Sequence, residues 1–205
     1  MHRFTDKERG EITAAIQAAE QRTSGEFVAV VARASDHYLA IALLWAAGLA
    51  LLLPAPLLLF THVRFLDIYQ LQIVAFILLT LLFEFMPGLH MALVPMGLRH
   101  ARASALAHAQ FYDQGVHLTR EHSGVLLFVS MAERYVEIVA DKGIHEKIGA
   151  ERWQKIVNAL VLKVVQGDPS GGFVAAVGAC GEAMAEHYPA QADDIDELSD
   201  GLIEI

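Results

Sequence analysis

The chain has 205 residues, 55% of them hydrophobic, and a formal net charge of −9. The acidic balance, with no basic stripe to neutralise phosphates, excludes a nucleic-acid partner. A single cysteine, Cys180, excludes an internal disulfide and implies no oxidising compartment. These averages mix two objects, because Tyr38 to Leu98 is almost uncharged while the flanks have the composition of a soluble α/β domain.

Thr5-Asp6-Lys7-Glu8 opens a helix with the capping-box spacing, in which Thr5 and Glu8 each satisfy the other's free backbone N–H. Ile12, Ala15, Ile16 and Ala19 then share one helical face, and Thr23-Ser24-Gly25 closes the helix with Gly25 suited to a left-handed cap. Glu26 to Arg33 is short, rich in valine and continuously apolar, which predicts a strand buried on both faces. So few residues follow it before the apolar block that its C-terminal end should point at a bilayer.

Leu39 to Phe60 contains no ionisable side chain, and 22 residues at a helical rise of about 1.5 Å cover about 33 Å, enough to cross a hydrocarbon core. Buried core helices are usually shorter and seldom so uniformly apolar. Pro54 and Pro56 are compatible with a membrane helix. A polar break, Thr61 to Asp67, precedes a second apolar run, Ile68 to Phe83. Together they predict a transmembrane hairpin. Met86 to Leu98, interrupted by Pro87 and Pro95, either extends the second span or lies in the interface.

Beyond Arg99, His100 and Arg102, residues Ala103, Leu106, Ala107, Gln110 and Phe111 repeat as a helix face, ended by Gly115. Val116 to Thr119 reads as a short extended piece. Gly124 to Ser130 is a second buried strand; Met131 to Arg134 is a hairpin turn with two solvated charges; Tyr135 to Ala140 alternates as a third strand. Trp153, Ile156, Val157, Leu160 and Val164 form a helical stripe, Gly167 to Gly172 reads as a loop, and a last helix carries Phe173, Val177, Cys180 and Met184. Cys180 reads as a small core residue. The acidic stretch from residue 191 to 205 reads as a solvated, mobile tail.

The predicted fold class is α/β: a small three-layer α/β/α sandwich over residues 1–36 and 99–190, with a two-helix transmembrane hairpin, residues 37–98, inserted after the first strand. The first two strands are joined by a crossover and should be parallel.

Several stretches carry a resemblance: Thr23-Ser24-Gly25-Glu26-Phe27-Val28, then His122 to Ser130, Glu133-Arg134 with Val136-Glu137-Ile138, Asp141-Lys142-Gly143-Ile144, and two helices ending at His187-Tyr188-Pro189. In this order and spacing they resemble the TPM domain family, named for thylakoid lumen, photosystem II repair and acetylcholine-receptor-modulating members. The resemblance implies a three-layer α/β/α fold, membrane-associated work, and, from a plant branch, acid phosphatase activity and calcium binding. That branch enters its second strand with Asp-Asn-Gly; here His122-Ser123-Gly124 stands there and the matching carboxylate is absent.

Other chemistry is not signalled: there is no P-loop, no G-x-S-x-G elbow and no H-E-x-x-H. One constellation remains. The entries of the first two strands and the exit of the third should gather at the membrane-distal end of the sheet, bringing together Glu26, Glu121, His122 and Asp141. Carboxylates with an imidazole could hold Ca²⁺ or another divalent cation, or could simply be solvated strand ends. The expected function is therefore a membrane-anchored, protein-binding factor for assembly, quality control or regulation of a membrane protein complex. The alternative is a divalent-metal-dependent phosphatase at that cleft. Arg33, Arg99 and Arg102 beside the outer ends of the spans, against Arg64 in the connecting loop, place the α/β domain and both termini on the cytoplasmic side of the inner (cytoplasmic) membrane. No cleavable signal is expected before the first span, since the first 37 residues contain no apolar core segment.

Overall fold

The computed structural model describes residues 4–120, 122–191 and 197–205, with side chains at all of these except 87, 89 and 90. It divides into two units, Met1–Ser35 with His100–Ile205, and Asp36–Arg99. Helix α1 (Asp6–Glu20) starts with the capping box: the Thr5 N–H donates to the Glu8 carboxylate at 2.8 Å, and the Glu8 N–H donates to Thr5 Oγ1 at 3.3 Å. Ile12, Ile16 and Ala19 are buried under it. Strand β1 (Glu26–Ala32) follows, with all seven residues buried. Gly25 between them is not in the left-handed region. Its constraint is packing, since a Cβ there would lie 2.1 Å from Met184 Cε.

The second unit consists of α2 (Leu39–Leu52), α3 (Pro54–Phe60), α4 (Phe65–Phe85) and α5 (Pro87–Leu93). Pro54 lacks the N–H that would continue α2, so the first apolar segment divides at Leu53. Leu39–Phe60 and Phe65–Phe85 are long and apolar enough to cross a membrane, and only 11% and 6% of their apolar windows are buried. The buried stripe of α2 is Ala42, Ala46 and Ala50, one residue per turn, while Leu59 and Phe60 are 77% and 84% exposed. Ala42 and Ala46 pack with Phe83 of α4, and Phe76, Leu79 and Leu93 close around them. After Met86 the chain leaves α4 and starts α5 afresh at Pro87, so this segment is a separate short helix.

Helix α6 (Met96–Asp113) buries Ala103, Ala107 and Phe111, and Gly115 at φ 71° turns the chain out of it. Val116–Leu118 is a 3₁₀ turn, not the extended piece that its residue types suggest. Strands β2 (Gly124–Ser130) and β3 (Tyr135–Ala140) form the expected hairpin, with Ser130 opposite Tyr135. Asp141 then leads directly into α7 (Lys142–Ile148), an element the sequence reading does not contain. Helix α8 (Ala150–Val165) buries Trp153, Ile156 and Leu160.

The glycine-rich loop is shorter than its composition suggests. Helix α9 (Pro169–Ala185) already includes Ser170, Gly171 and Gly172, because Asp168 caps it by accepting the Gly171 N–H at 2.9 Å and Pro169 occupies the first turn. Gly172 allows close approach to α8, where a Cβ would meet Leu160 Cδ1 at 2.8 Å. Cys180 is fully buried on α9, and burial pushes its thiol up to about 12.

The sheet order is β3-β2-β1-β4, with β1 parallel to β2 in the register Glu26 opposite Gly124 through Ala32 opposite Ser130, and β3 antiparallel to β2. Phe27, Ala29, Val31, Val125, Leu127 and Val129 face a core closed by α1, α8 and α9. Val28, Val30, Leu126, Phe128 and Val139 face the α6 side. This is the three-layer α/β/α arrangement. The C-terminal segment departs from expectation: instead of a solvated tail, its last residues form β4 (Ile203–Glu204), parallel to β1. Leu202 and Ile203 pack on opposite faces of the sheet, which a freely solvated tail could not do.

Gly124 shows how tightly the start of β2 is held. A Cβ there would lie 2.3 Å from the Val116 carbonyl oxygen, a backbone atom that cannot swing aside. Gly124→Ala should therefore destabilise the chain by about 1–3 kcal/mol. Gly10→Ala, on α1 with nothing within 4 Å, should instead stabilise it by about 0.5–1 kcal/mol. Denaturant titration in detergent micelles measures both; equal stabilities for the two variants would contradict the packing argument.

Candidate functional site

The site region is the end of the sheet where β1 and β2 begin and β3 ends. Glu26 opens β1 opposite Gly124, and the Asp141 N–H donates to the Gly124 carbonyl at 3.3 Å. Glu26, Gly124 and Asp141 thus stand in one row across three strands. Two inter-strand spacings put the backbones of the two acids about 10 Å apart. Over Gly124 lies the Val116–Leu118 turn, whose Val116 carbonyl abuts it. That turn is pinned through Thr119: its hydroxyl accepts the Ser123 N–H at 3.1 Å, and its carbonyl accepts the His122 N–H at 3.0 Å. Ser123 in turn donates its hydroxyl to the Ser24 carbonyl at 2.8 Å, tying the entries of the two strands together.

Burial raises the Asp141 carboxyl above its ordinary range, while His122, then His117, and hydrogen bonding at Gly124 pull it back. His122 sits in the left-handed region at φ 50°, a conformation histidine adopts more readily than most residues. His117 is held edgewise against Tyr112, with ring centroids 5.0 Å apart.

Glu26 lines an open cleft of about 360 Å³ with Gln17, Glu20, Gln21, Gln191 and Asp200. One carboxylate oxygen of Glu20 accepts the Phe27 N–H at 3.1 Å, and Gln17 donates to Asp200 at 2.8 Å. Asp141 lies close enough to His122 to feel its charge, Glu26 lines the cleft, and Glu121 lies outside the described residues. Among the described residues no three His, Cys, Asp or Glu side chains are grouped as a metal ion requires. Glu26, His122 and Asp141 do not make a divalent-cation site by themselves, and no chemical step is derived through one.

Sequence reasoning missed Glu133. It is 3% exposed, so it is not one of two solvated turn charges. Its carboxylate accepts the Ser35 N–H at 2.9 Å and the Ser130 hydroxyl, while Ser35 Oγ donates to Ser130 Oγ at 2.8 Å. The Ser130-x-x-Glu133 spacing, serine three residues before a carboxylate at a chain reversal, was the available signal. On the outer face of α8 and α9, Ala159, Leu162, Ala175 and Ala179 line an apolar groove of about 310 Å³, and Leu162 and Val165 are 61% and 66% exposed.

The segment from the end of α5 through most of α9 carries the decisive likeness, since residues 92–183 match the family model of the TPM domain. Over those residues, just under half of its length, the chain is TPM-like. The fold of the chain is similar to a solved structure, the NMR structure of the BA42 protein from the psychrophilic bacterium Bizionia argentinensis. That protein is 20% identical with a TM-score of 0.62, over 100% of this chain and 97% of that one, a likeness of fold alone. No curated protein matches the chain.

The raised carboxyl of Asp141 gives a pH signature. The folded state holds the Asp141 proton more tightly than the unfolded chain does. Stability from this group is therefore greatest below the ordinary carboxylate range and is lost as pH rises through the raised value. Asp141→Asn should stabilise the chain near neutral pH and lose that advantage in acid. Denaturation midpoints at the two pH values check this, and an advantage that persists in acid would contradict the burial argument.

Proposed function

We propose that this chain is a membrane-anchored TPM-domain protein whose α/β unit binds a protein partner in the assembly, quality control or regulation of a membrane complex. The observation that carries the anchor is the inverted packing of the helix pair. In water a helix pair buries its large apolar residues, but here α2 buries Ala42, Ala46 and Ala50 while its Leu44, Leu51 and Leu52 face outward, and α4 buries only Ile68 and Phe83 among its described residues. Hydrocarbon solvates large side chains as well as a protein interior does, so close backbone approach through small residues is what remains to hold two membrane helices together. Support for a protein partner comes from the apolar groove on α8 and α9, lined by the exposed Leu162 and by Ala159, Ala175 and Ala179.

The arginine distribution beside the apolar segments supports a cytoplasmic α/β unit in the inner membrane, with both apolar segments crossing and residues 61–67 outside. The chain should stay with membranes through alkaline extraction, whereas replacing residues 37–98 with a flexible polar linker should release it. A phosphatase reporter active only outside the cytoplasm, fused after Ile205, should be silent while a fluorescent cytoplasmic reporter there is bright. Release of the intact chain would sink the anchor, and an active phosphatase fusion would reverse the orientation.

A second reading, a divalent-metal-dependent phosphatase, has support in the raised Asp141 carboxyl beside two histidines. On the binding reading the purified chain should show no phosphomonoester hydrolysis above background with Ca²⁺, Mg²⁺ or Mn²⁺. Turnover abolished by Asp141→Asn would replace it with the enzyme.

A further inference from the structure

Strand β1 is apolar and buried on both faces, the composition of an interior strand, yet what covers its outer edge is slight. β4 pairs only Ile203 with Val30 and Glu204 with Val31. Two further bonds extend the ladder: the Ile205 N–H donates to the Val31 carbonyl at 3.0 Å, and the Arg33 N–H to the Ile205 carbonyl at 2.9 Å. A globular strand usually runs five or six residues. Toward its start, β1 has no β4 partner; there the Glu20 carboxylate takes the Phe27 N–H and the acidic cleft opens.

The covering segment spells out a ligand. Leu202 and Ile203 reach to opposite faces of the sheet, where each is only partly buried. The Glu204 carboxylate meets the Arg9 guanidinium of α1 at 2.6 Å. Upstream, Asp200 accepts from Gln17, and Glu197 accepts the Arg120 N–H at 3.0 Å. Three half-buried aliphatic residues, Leu198, Leu202 and Ile203, and exposed polar contacts must hold the whole segment in order against its chain entropy. Such an edge is covered but weakly closed, and an uncovered apolar edge strand is a template for another strand.

We propose that the outer edge of β1 is a strand-addition site for an extended partner segment with two adjacent aliphatic residues followed by a carboxylate, and that residues 197–205 occupy it in cis until such a segment displaces them. The proposal rests on the reading that the α/β unit binds a protein, and it names one surface and its mode. Main-chain bonds to Val31 and Arg33 supply the affinity, the aliphatic pair fills the two faces, and Arg9 reads the carboxylate. Displacement also carries Asp200 out of the acidic cleft, so occupancy of the edge and the shape of the cleft are coupled.

The test uses the 205-residue chain in detergent micelles and a fluorescent peptide with the sequence of Glu197–Ile205. Leu202→Ser with Ile203→Ser loosens the chain's own segment. It should raise peptide affinity by about ten-fold or more, because the tethered competitor is removed. Arg9→Glu on that background should weaken the peptide by about three- to five-fold, as for an exposed ion pair, and a peptide carrying Glu204→Arg should recover it. A scrambled peptide that binds equally, or no gain on loosening, overturns the proposal.

Hydrogen exchange on the unsubstituted chain reads the same equilibrium without a variant. The Arg33 and Ile205 amides should exchange well before those of β2, and exchange only together with β2 overturns the proposal. A dimer of the unsubstituted chain that dissociates on Arg9→Glu assigns the edge to a second copy and overturns the partner-segment assignment. Failure of peptide binding in a chain that still captures its membrane partner sinks this site alone, whereas failure of both sinks the protein-binding reading as well.

Discussion

Because β1 and β2 run parallel, no tight turn can join them, and the chain leaving Ala32 has to travel back the length of the sheet before Gly124 can begin. That return is the constraint on which the remaining architecture depends. A crossover needs a dozen residues or more, usually a helix, and α6 supplies the covering layer. Everything between Asp36 and Arg99 is additional length in a connection that has to exist in any case. Lengthening a connection costs little once its ends are fixed. The strands are fixed independently of it, by a seven-residue register and two apolar faces.

The two ends of the β1–β2 pair are secured by different chemistry. At the start, small residues and hydroxyls dominate: Gly124 admits the Val116 carbonyl, and Ser123 ties to Ser24. At the finish a buried carboxylate does the work. Glu133 is held in a place where an unsatisfied charge would cost several kcal/mol, and it is tolerated because the Ser35 N–H and the Ser130 hydroxyl converge on it. The carboxylate therefore fixes the geometry of the β2–β3 turn and the exit of β1 at once.

Most of this architecture was legible wherever one strong local signal sat in a periodic run. Thr5 and Glu8 announced α1, the valine-rich runs announced β1 and β2, and the alanine-to-phenylalanine spacing announced α6. The failures have specific causes. β4 was hidden because acidic composition outweighed Leu202 and Ile203, whose burial depends on a partner strand some 170 positions away in the chain. α7 was hidden because Lys142-Gly143 reads as a turn, and the helix is settled by packing Ile144 and Ile148. The start of α9 was lost to glycine count, although Asp168-Pro169 is a better guide to a helix start. Of the candidate site, proximity at one sheet end was readable from topology. The crowding of Gly124 was not, because it depends on the 3₁₀ turn that Val116 lays over it. Glu133 was misjudged because burial of a turn residue depends on what the crossover brings to it.

The parallel crossover also orders events in time. A ribosome finishes β1, then both long apolar helices, and only afterwards the strand that β1 needs beside it. Until Gly124 to Ser130 has emerged, a segment apolar on two faces stays unpaired while the helix pair is already complete and able to leave the aqueous phase. Ile203 and Glu204 come after all three of the other strands. The strands of the sheet thus emerge from its middle outward, with the long apolar helices made before its core can form and its outer edge closed by residues made after the other three strands.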